Sequence, residues 1–263
     1  MPPKVHLVRH AQGEHNATRD YTIRDAVLTA KGKEQCATLR SAFAHHDEID
    51  VVFASPLRRT IQTAALSFGP VLSRQEVSFA LLPALQEVSN IACDVGIADI
   101  GADVHKFLPD LFTPGELDFD VGKVDASAVT EGWNSKVGRS PDMMSVCMLT
   151  KTCLQQGYWA YEKTAISKRA AELRNWLYQR PEAQVIIVTH GAFAHFLTED
   201  WDVEDPMLGT AFKNCEHRVY VFSPGSTVKE AHLEETWESR RKRGGPEVEK
   251  DPHVVEEFLK TAA

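Results

Sequence analysis

The sequence has few of the features that mark extracellular, zinc-binding or polyanion-binding proteins. Its five cysteines are odd in number, scattered and without a Cys-x-x-Cys pair, so they indicate neither a disulfide framework nor a zinc site. Basic residues are in the minority, because 29 lysines and arginines face 37 acidic residues and leave a net charge of -8. This balance disfavours a broad surface for nucleic acid or anionic membrane but allows a small cationic pocket.

A long apolar run is also missing from the beginning of the chain. The stretch MPPKVHLVRH holds a charge and a histidine within its apolar run, so it has neither a signal-peptide core nor a bilayer-spanning segment. We therefore expect an intracellular, cytoplasmic protein. The basic run from Arg240 to Arg243 also allows a nuclear localisation signal, although a solvated linker is the commoner role of such a run.

What the sequence does have is ample apolar material for a core, at 43% hydrophobic residues. Three apolar, mostly β-branched runs that end in polar or small residues predict buried parallel strands. These runs are KVHLVR at 4–9, DVVFAS at 50–55 and AQVIIVTHG at 183–191. A hairpin is expected late in the chain, where HRVYVF is followed by SPGS and VKEAHLEE.

Helices are predicted between these strands. Thr29 caps the first helix, and Ser55 and Pro56 form the N-cap and first turn of the second. A third helix over about residues 164–180 is stopped by Pro181, directly before the third strand. This alternation of strands and helices predicts a layered α/β fold.

A single domain over residues 1–240 is expected, followed by a charged tail over 241–263. The alternation of strands and helices is interrupted from about residue 90 to 161. This segment contains glycines and prolines that end regular structure, together with isolated aromatic residues. We interpret this segment as an insertion that covers the site. Its aromatic residues, such as Trp133, are expected to build a core of their own rather than to contact substrate.

Charged and polar side chains occur where the predicted strands end. They are Arg9 and His10 after the first strand, Arg58 and Arg59 after the second, Glu87 in LPALQEVSN, and His190 after the third strand. The carboxyl ends of parallel strands meet at one edge of a sheet, so these residues are expected to converge there. The N-termini of two helices that begin at this edge would offer unpaired N–H groups to an anion.

Two histidines with at least two arginines indicate an anion pocket. A phosphoryl group is the ligand expected there, because the planar arginine fork matches its oxygens. A neutral imidazole in such a pocket can attack phosphorus and divide hydrolysis into two steps through a P–N bond. Glu87 would protonate the leaving oxygen and afterwards activate water.

Five ordered motifs resemble those of the histidine phosphatase superfamily, in its phosphoglycerate-mutase-like branch. They are VRHAQGEHN at 8–16, DAVLTAKGKEQ at 25–35, SPLRRTIQT at 55–63, QE at 86–87 and VTHGA at 188–192. The similarity covers about residues 4–90 and 164–223. It implies a three-layer α/β/α sandwich with a mostly parallel sheet, and a reaction that uses no metal and no cofactor.

The resemblance also implies a role for each matching residue. His10 is the phosphorylated nucleophile and Glu87 the proton donor. Arg59 is favoured over Arg58 in the phosphate clamp, because the family's arginine is the fifth residue of its motif. The clamp implied is Arg9, Arg59 and His190, and the expected substrate-binding residues are Asn16, Gln12, Gly13 and Arg58.

The sequence departs from the family pattern at three places near these residues. Ala11 replaces a glycine beside the nucleophile, Gln12 and Gly13 replace the common Glu-Ser, and Ala192 stands where mutases commonly have asparagine. These differences weaken a glycolytic mutase interpretation. HAQGEHN and LQEVSNIACDVG look more like a fungal and plant subgroup with an Arg-His-Gly-x-Gly-x-His-Asn signature.

Three functions follow from this pattern. The first is a metal-independent phosphatase that hydrolyses a small phosphomonoester through a phosphohistidine. The second is phosphoglycerate mutase-like phosphoryl transfer, or a repurposed pocket that catalyses a different reaction in specialised metabolism. The third is a non-catalytic protein that binds a phosphorylated ligand. The expected partner is a small phosphorylated metabolite, with no nucleic acid and no membrane, and a homo-oligomer is allowed.

The remaining histidines near the motifs are expected to have lesser roles. His15 either lines the entrance of the pocket or lies on the surface. His6 and His195 fall within the strand and helix patterns and are expected to be packed structural side chains.

Overall fold

A computed structural model describes residues 1–136, 159–200 and 212–243. A seven-stranded sheet with the strand order β4-β3-β2-β5-β1-β6-β7 runs through the molecule. The first five strands in that order pair in parallel, and β6 and β7 continue the sheet antiparallel. The strands are β1 (Lys4–Arg9), β2 (Val51–Ala54), β3 (Ser78–Leu81), β4 (Val124–Asp125), β5 (Gln184–Thr189), β6 (His217–Phe222) and β7 (Leu233–Glu235).

Helices fill the connections between the strands. The α-helices are α1 (Glu14–Thr18), α2 (Ala30–Ala42), α3 (Arg58–Ser67), α4 (Gly69–Leu72), α5 (Gly101–Phe107), α6 (Lys163–Tyr178), α7 (Gly191–Thr198) and α8 (Trp237–Lys242). Short 3₁₀ helices lie at Pro83–Leu85, Ala92–Asp94, Pro109–Leu111 and Val121–Lys123. No helix in the described part of the chain is both long and apolar enough to span a membrane.

The core is divided between the two faces of the sheet. Along β5, Ile186 and Val188 pack with α3 and α4 on one face, whereas Val185 and Ile187 pack with α6 and α7 on the other. Successive side chains of a strand point to opposite faces, so a strand that is apolar throughout requires cover on both. The predicted three-layer α/β/α sandwich with a mostly parallel sheet is therefore confirmed.

The predicted local elements are largely present, with one shifted helix start. The Thr29 hydroxyl accepts the Gly32 N–H at the beginning of α2, as expected of an N-cap, and the late hairpin is present as β6 and β7. The prediction that Ser55 and Pro56 start a helix is wrong, since α3 begins at Arg58 and has Leu57 at its N-cap. The Ser55 hydroxyl instead lies 2.9 Å from Nε2 of His190.

The described part of the segment after residue 90 belongs to the main core. Trp133 is almost completely buried among side chains of the α3 face, and its indole N–H donates to the Ala98 carbonyl at 2.6 Å. Strand β4 from the same segment extends the sheet. The expectation of a separate aromatic core is therefore wrong for Trp133. Residues 137–158 lie outside the described residues, so the prediction of an insertion that covers the site remains a prediction.

The last described helix was not predicted. Within the basic run, the Arg243 guanidinium pairs with the Glu235 carboxylate at 2.9 Å, so this end of the run is tied to β7. Residues 244–263 of the expected tail lie outside the described part of the chain. Its assignment as a separate charged tail remains a prediction.

Two neutral histidines, the buried His6 and the half-buried His217, lie between the strands and the end of α2. The N–H at Nε2 of His6 donates to the Gln184 side-chain oxygen at 2.9 Å, so Nδ1 of His6 is the acceptor for Nε2–H of His217 at 3.0 Å. Burial lowers the pKa of His6 to about 4 and that of His217 to about 3. The predicted packed role of His6 is confirmed.

We expect the free energy of unfolding to fall as the pH falls below the ordinary histidine value of 6.5. In the unfolded chain both histidines are then protonated. In the folded chain His6 stays neutral until the pH approaches 4, and His217 until it approaches 3. For His6 alone, the loss between pH 7.5 and pH 5 is about 2 kcal/mol. Urea denaturation across this range measures the slope.

His6→Gln should flatten this slope, because glutamine does not titrate. Leu177→Ala is the matched control, since it removes a fully buried apolar side chain, lowers stability at every pH and leaves the slope as it is. A slope that is the same in His6→Gln and wild type would contradict the expectation.

Candidate active site

The polar residues predicted from the strand ends converge at one edge of the sheet. Arg9 and His10 end β1, His190 follows β5, and Arg59 is in the first turn of α3 after β2. Glu87 is brought to the same place by the turn after β3. All five are buried, with at most 5% of each residue exposed. Charged side chains are seldom buried unless they are paired, so this cluster is a candidate active site.

His10 is held as one neutral tautomer. Its Nδ1 lies 2.8 Å from the Ala11 carbonyl, which can only accept, so the ring proton is on Nδ1. Nε2 is then the basic nitrogen, and it accepts the Nε–H of Arg59 at 3.2 Å. Burial, followed by the charges of Arg59 and Arg9, lowers the pKa of His10 well below the usual value. Nε2 therefore has no proton at neutral pH, and its lone pair can act as a nucleophile once the Arg59 N–H donates to another acceptor.

Arg59 is the centre of the cluster. Besides the bond to His10, its Nη2 donates to Nδ1 of His190 at 3.0 Å and to the Asp94 carboxylate at 2.9 Å. Its Nη1 donates to the Cys93 carbonyl at 2.6 Å. One planar guanidinium thus fixes both histidines relative to each other.

His190 is also neutral, with the opposite tautomer. Because its Nδ1 accepts from Arg59, the proton is on Nε2, which lies 2.9 Å from the Ser55 hydroxyl. Burial and the charge of Arg59 lower the pKa of His190 well below the usual value. Its ring centre is 5.2 Å from that of His10, so both imidazoles border the same space.

The loop that follows His10 is fixed by the motif in α2. Thr29 accepts the Gly32 N–H and donates to the Gln12 side-chain oxygen at 2.9 Å, while the Gln35 side chain accepts the Gln12 N–H at 2.8 Å. A Cβ at Gly32 would lie 2.2 Å from the Gln12 carbonyl oxygen, so only glycine permits this approach. The DAVLTAKGKEQ motif therefore positions the loop that follows His10. The Gln12 side chain is engaged with this motif.

Gly13 and Asn16 form a hydrogen bond within the loop that follows His10. The Asn16 side-chain oxygen accepts the Gly13 N–H at 3.1 Å and is 3.5 Å from the Asn214 amide nitrogen. Asn214 also donates to the His10 carbonyl at 3.2 Å. His15 is buried with its ring centre 5.7 Å from that of His10, which excludes the surface position considered for it. The substrate-binding roles of Gln12, Gly13 and Asn16 remain predictions.

Arg9 approaches the site from β1. Its Nη1 donates to the Phe212 carbonyl at 2.6 Å. The turn before β6 holds the backbone at this point, because the N–H of Cys215 donates to the carbonyls of both Arg9 and His10 at 3.1 Å. Cys215 adopts a left-handed conformation there, with φ of 61°. Cys36, Cys93 and Cys215 are buried, and none of these three described cysteines is in a disulfide.

Arg58 has different partners from Arg59. Its Nε donates to the Asp25 carbonyl at 2.7 Å and its Nη2 to the Arg24 carbonyl at 3.3 Å. These contacts distinguish the two arginines, since Arg59 alone of the pair contacts the histidines. The substrate-binding role of Arg58 remains a prediction.

Glu87 carries a buried carboxyl group at the N-terminus of α7. Its Oε1 accepts the N–H groups of Phe193 at 2.9 Å and Val88 at 3.1 Å, and Oε2 is 3.4 Å from the Ala192 nitrogen. Burial, with the negative charge of Asp94, raises the pKa of Glu87 to about 7. Near neutral pH this carboxyl group can therefore give up or take a proton.

N–H groups at the N-termini of α3 and α7 donate to side chains of the protein rather than being left for an anion. The first N–H groups of α7 donate to Glu87, and the Arg58 N–H at the start of α3 donates to the Asp25 carboxylate at 2.9 Å. The expectation that both termini offer unpaired N–H groups to an anion is wrong for this arrangement.

Two charged residues of the site were missed by the sequence analysis. Asp94 contacts Arg59, and the ammonium group of Lys136, which is only 4% exposed, donates to the Glu87 carbonyl at 2.7 Å. Asp94 was within the quoted stretch LQEVSNIACDVG, but no periodicity or spacing marked it. Among the described residues there is no group of three or more histidine, cysteine or acidic side chains that could hold a metal ion.

Comparison with known proteins agrees with this geometry. Residues 5–107 match the histidine phosphatase superfamily, branch 1. This match covers the part of the chain that contains β1, β2, β3, His10, Arg59 and Glu87. It is similar to phosphoglycerate mutase-like protein 1 of Arabidopsis thaliana, with 26% identity over 253 residues, which cover 82% of this chain and 80% of the relative.

One further sequence relative and one solved structure match different lengths of the chain. A probable phosphatase of Schizosaccharomyces pombe is 27% identical over 95 residues, which cover 35% of this chain and 44% of that protein. The solved structure of Bacillus stearothermophilus YhfR matches 89% of this chain and 96% of its own with a TM-score of 0.50 and 15% identity. That structural similarity supports the fold. The finer subgroup suggested by the motif around His10 remains a prediction.

We expect His10 to be neutral at pH 7, with its proton on Nδ1. In ¹⁵N spectra of histidine side chains, Nδ1 should have the shift of a protonated nitrogen and Nε2 that of a bare one, and lowering the pH to 6.5 should change neither. The spectrum of His10→Gln assigns the signals. Two protonated nitrogens at pH 7, or a proton on Nε2, would rule out the arrangement described.

Proposed function

We propose that the protein is a phosphatase that hydrolyses a small phosphomonoester without a metal, through a phosphohistidine at His10. The observation that carries this proposal is the neutral His10 ring, whose basic Nε2 is held 3.2 Å from the buried Arg59 guanidinium. A positive group beside a basic nitrogen draws a phosphoryl oxygen to the place where phosphorus can be attacked. The match of residues 5–107 to the histidine phosphatase superfamily and the name of the fission yeast relative support it.

Binding of substrate uses the cations of the cluster. The phosphoryl oxygens take over N–H groups of Arg59 that now donate to His10 and His190, and Arg9 and Lys136 add positive charge close by. A protein with a net charge of -8 thereby concentrates positive charge at one buried place. A small dianionic ester fits this chemistry.

In the first step, the lone pair of His10 Nε2 forms a bond to phosphorus as the bond between phosphorus and the ester oxygen breaks. Glu87 transfers its proton to that oxygen, so the product leaves as a neutral alcohol. The high pKa of about 7 keeps a large fraction of Glu87 protonated near neutral pH. The phosphoryl group is now attached to His10.

In the second step, the Glu87 carboxylate takes a proton from water as the water oxygen attacks phosphorus. The P–N bond breaks, and its electron pair returns to His10 Nε2. Inorganic phosphate leaves, and Glu87 has its proton again. The hydrogen bond from His10 Nδ1 to the Ala11 carbonyl stabilises the ring in the orientation that both steps need.

Hydrolysis of aryl phosphate and a panel of phosphorylated metabolites in chelator tests this function. Wild type should turn over, and His10→Ala should lose more than about 1,000-fold in kcat/KM, because the nucleophile is gone. His105→Gln is the control, since this residue is exposed on α5 and should keep the wild-type rate. Circular dichroism checks that each variant is folded.

Other outcomes point to the alternative functions and would contradict the proposal. Transfer of phosphate between two hydroxyls of one metabolite without release of phosphate indicates a mutase. Binding of phosphate or vanadate by a folded protein that turns over nothing in the panel indicates a binding protein or a repurposed pocket. Turnover that survives in His10→Ala would also contradict the mechanism.

A further inference from the structure

Asp94 is a buried carboxylate in the site that the proposed mechanism does not use. Only 1% of its side chain is exposed. Its Oδ1 accepts from Arg59 Nη2 at 2.9 Å, and its Oδ2 accepts from the Ser89 hydroxyl at 2.6 Å. A buried carboxylate is costly unless such partners satisfy it. The site therefore contains a fixed negative charge in direct contact with its central cation.

The contact links Asp94 to both histidines through one rigid group. The same Nη2 of Arg59 that donates to Asp94 also donates to His190, and Nε of the same planar group donates to His10. A guanidinium is planar, so fixing one of its ends fixes the directions of all its N–H bonds. Asp94 thus determines where Arg59 directs its hydrogen bonds.

Asp94 also opposes the cations that face Glu87. Arg59 approaches Glu87 from α3, and the amides of α7 donate to its carboxylate. Close by are Lys136, which donates to the Glu87 carbonyl, and Arg169, which donates to the carbonyl of the preceding residue at 3.1 Å. The two imidazoles are neutral. These positive groups favour the ionised carboxylate, whereas burial and, after it, the negative charge of Asp94 favour the protonated form that the first step requires.

We propose that Asp94 is a positioning residue of this site, which fixes the Arg59 guanidinium by an ion pair and favours the protonated form of Glu87 by its negative charge. The inference rests on the proposed function, since it gives Glu87 the role of proton donor. It adds a second carboxylate, Asp94, to the site. Asp94 positions Arg59 and influences the protonation of Glu87 but does not itself transfer a proton. Like charges in one site are an established way to keep one of two carboxyl groups protonated.

Titration of the Glu87 carboxyl carbon by ¹³C NMR tests the inference in the full-length protein without any substrate. Glu87→Gln assigns the signal. Wild type should titrate near pH 7, and Asp94→Asn should lower that midpoint by about one pH unit or more, because the neutral amide keeps the shape but removes the charge. The Arg59 Nε–H should also exchange faster with solvent in Asp94→Asn.

Ser89→Ala is the matched control. It removes the hydroxyl that donates to Asp94 and leaves the Asp94 charge in place, so the Glu87 midpoint should stay close to that of wild type. Asp94→Glu restores the charge and should return the midpoint towards the wild-type value. In kinetics, the alkaline limb of kcat/KM should move to lower pH in Asp94→Asn and stay in Ser89→Ala.

The outcomes separate this inference from the proposed function. A Glu87 midpoint that is the same in wild type and Asp94→Asn, or a wild-type midpoint near the ordinary 4.5, would overturn the role of Asp94 even if the protein is a phosphatase. If Asp94→Asn does not fold, Asp94→Ser makes the same comparison, because it also removes the charge and keeps a hydrogen-bonding group. Lack of turnover together with the expected shift would overturn the phosphatase function and leave the electrostatic role of Asp94 intact.

Discussion

The buried guanidinium of Arg59 is the constraint on which the site depends. A positive charge removed from water must be compensated by neighbours that accept its hydrogen bonds. Here those neighbours are His10, His190, the Cys93 carbonyl and Asp94, and they come from three separate parts of the chain. The hydrogen bonds of this one side chain therefore hold His10, His190 and Asp94 in one geometry.

The charge of Arg59 also determines the protonation of its surroundings. It opposes a second positive charge on His10 and His190, which adds to the effect of burial and leaves both rings neutral. It would ionise Glu87 as well, but burial and Asp94 act in the opposite direction. The same pocket can thus hold a neutral base and a protonated acid near neutral pH, which is the pair that phosphoryl transfer to a histidine requires.

The sequence predicted the layered fold and the convergence of His10, Arg59, Glu87 and His190, because strand periodicity and the ends of parallel strands are local signals. It could not predict Asp94 and Lys136, which lie in a segment without periodicity and reach the site only through the tertiary path of the chain. The start of α3 was misplaced because Ser55, a good N-cap by type, is used by His190 instead. Likewise, the N–H groups at the start of α7 were predicted to bind an anionic ligand, but they donate to the Glu87 carboxylate of the chain itself.

The central claim, that His10 becomes phosphorylated, is tested most directly by mass spectrometry. Glu87→Gln should slow removal of the phosphoryl group by water, so rapid quenching after mixing with an aryl phosphate should trap the intermediate. The account predicts the added mass of one phosphoryl group on the peptide that contains His10, sensitive to acid and absent in the double variant with His10→Ala. Product release by wild type with no labelled His10 peptide in Glu87→Gln, or a label on another residue, would contradict it.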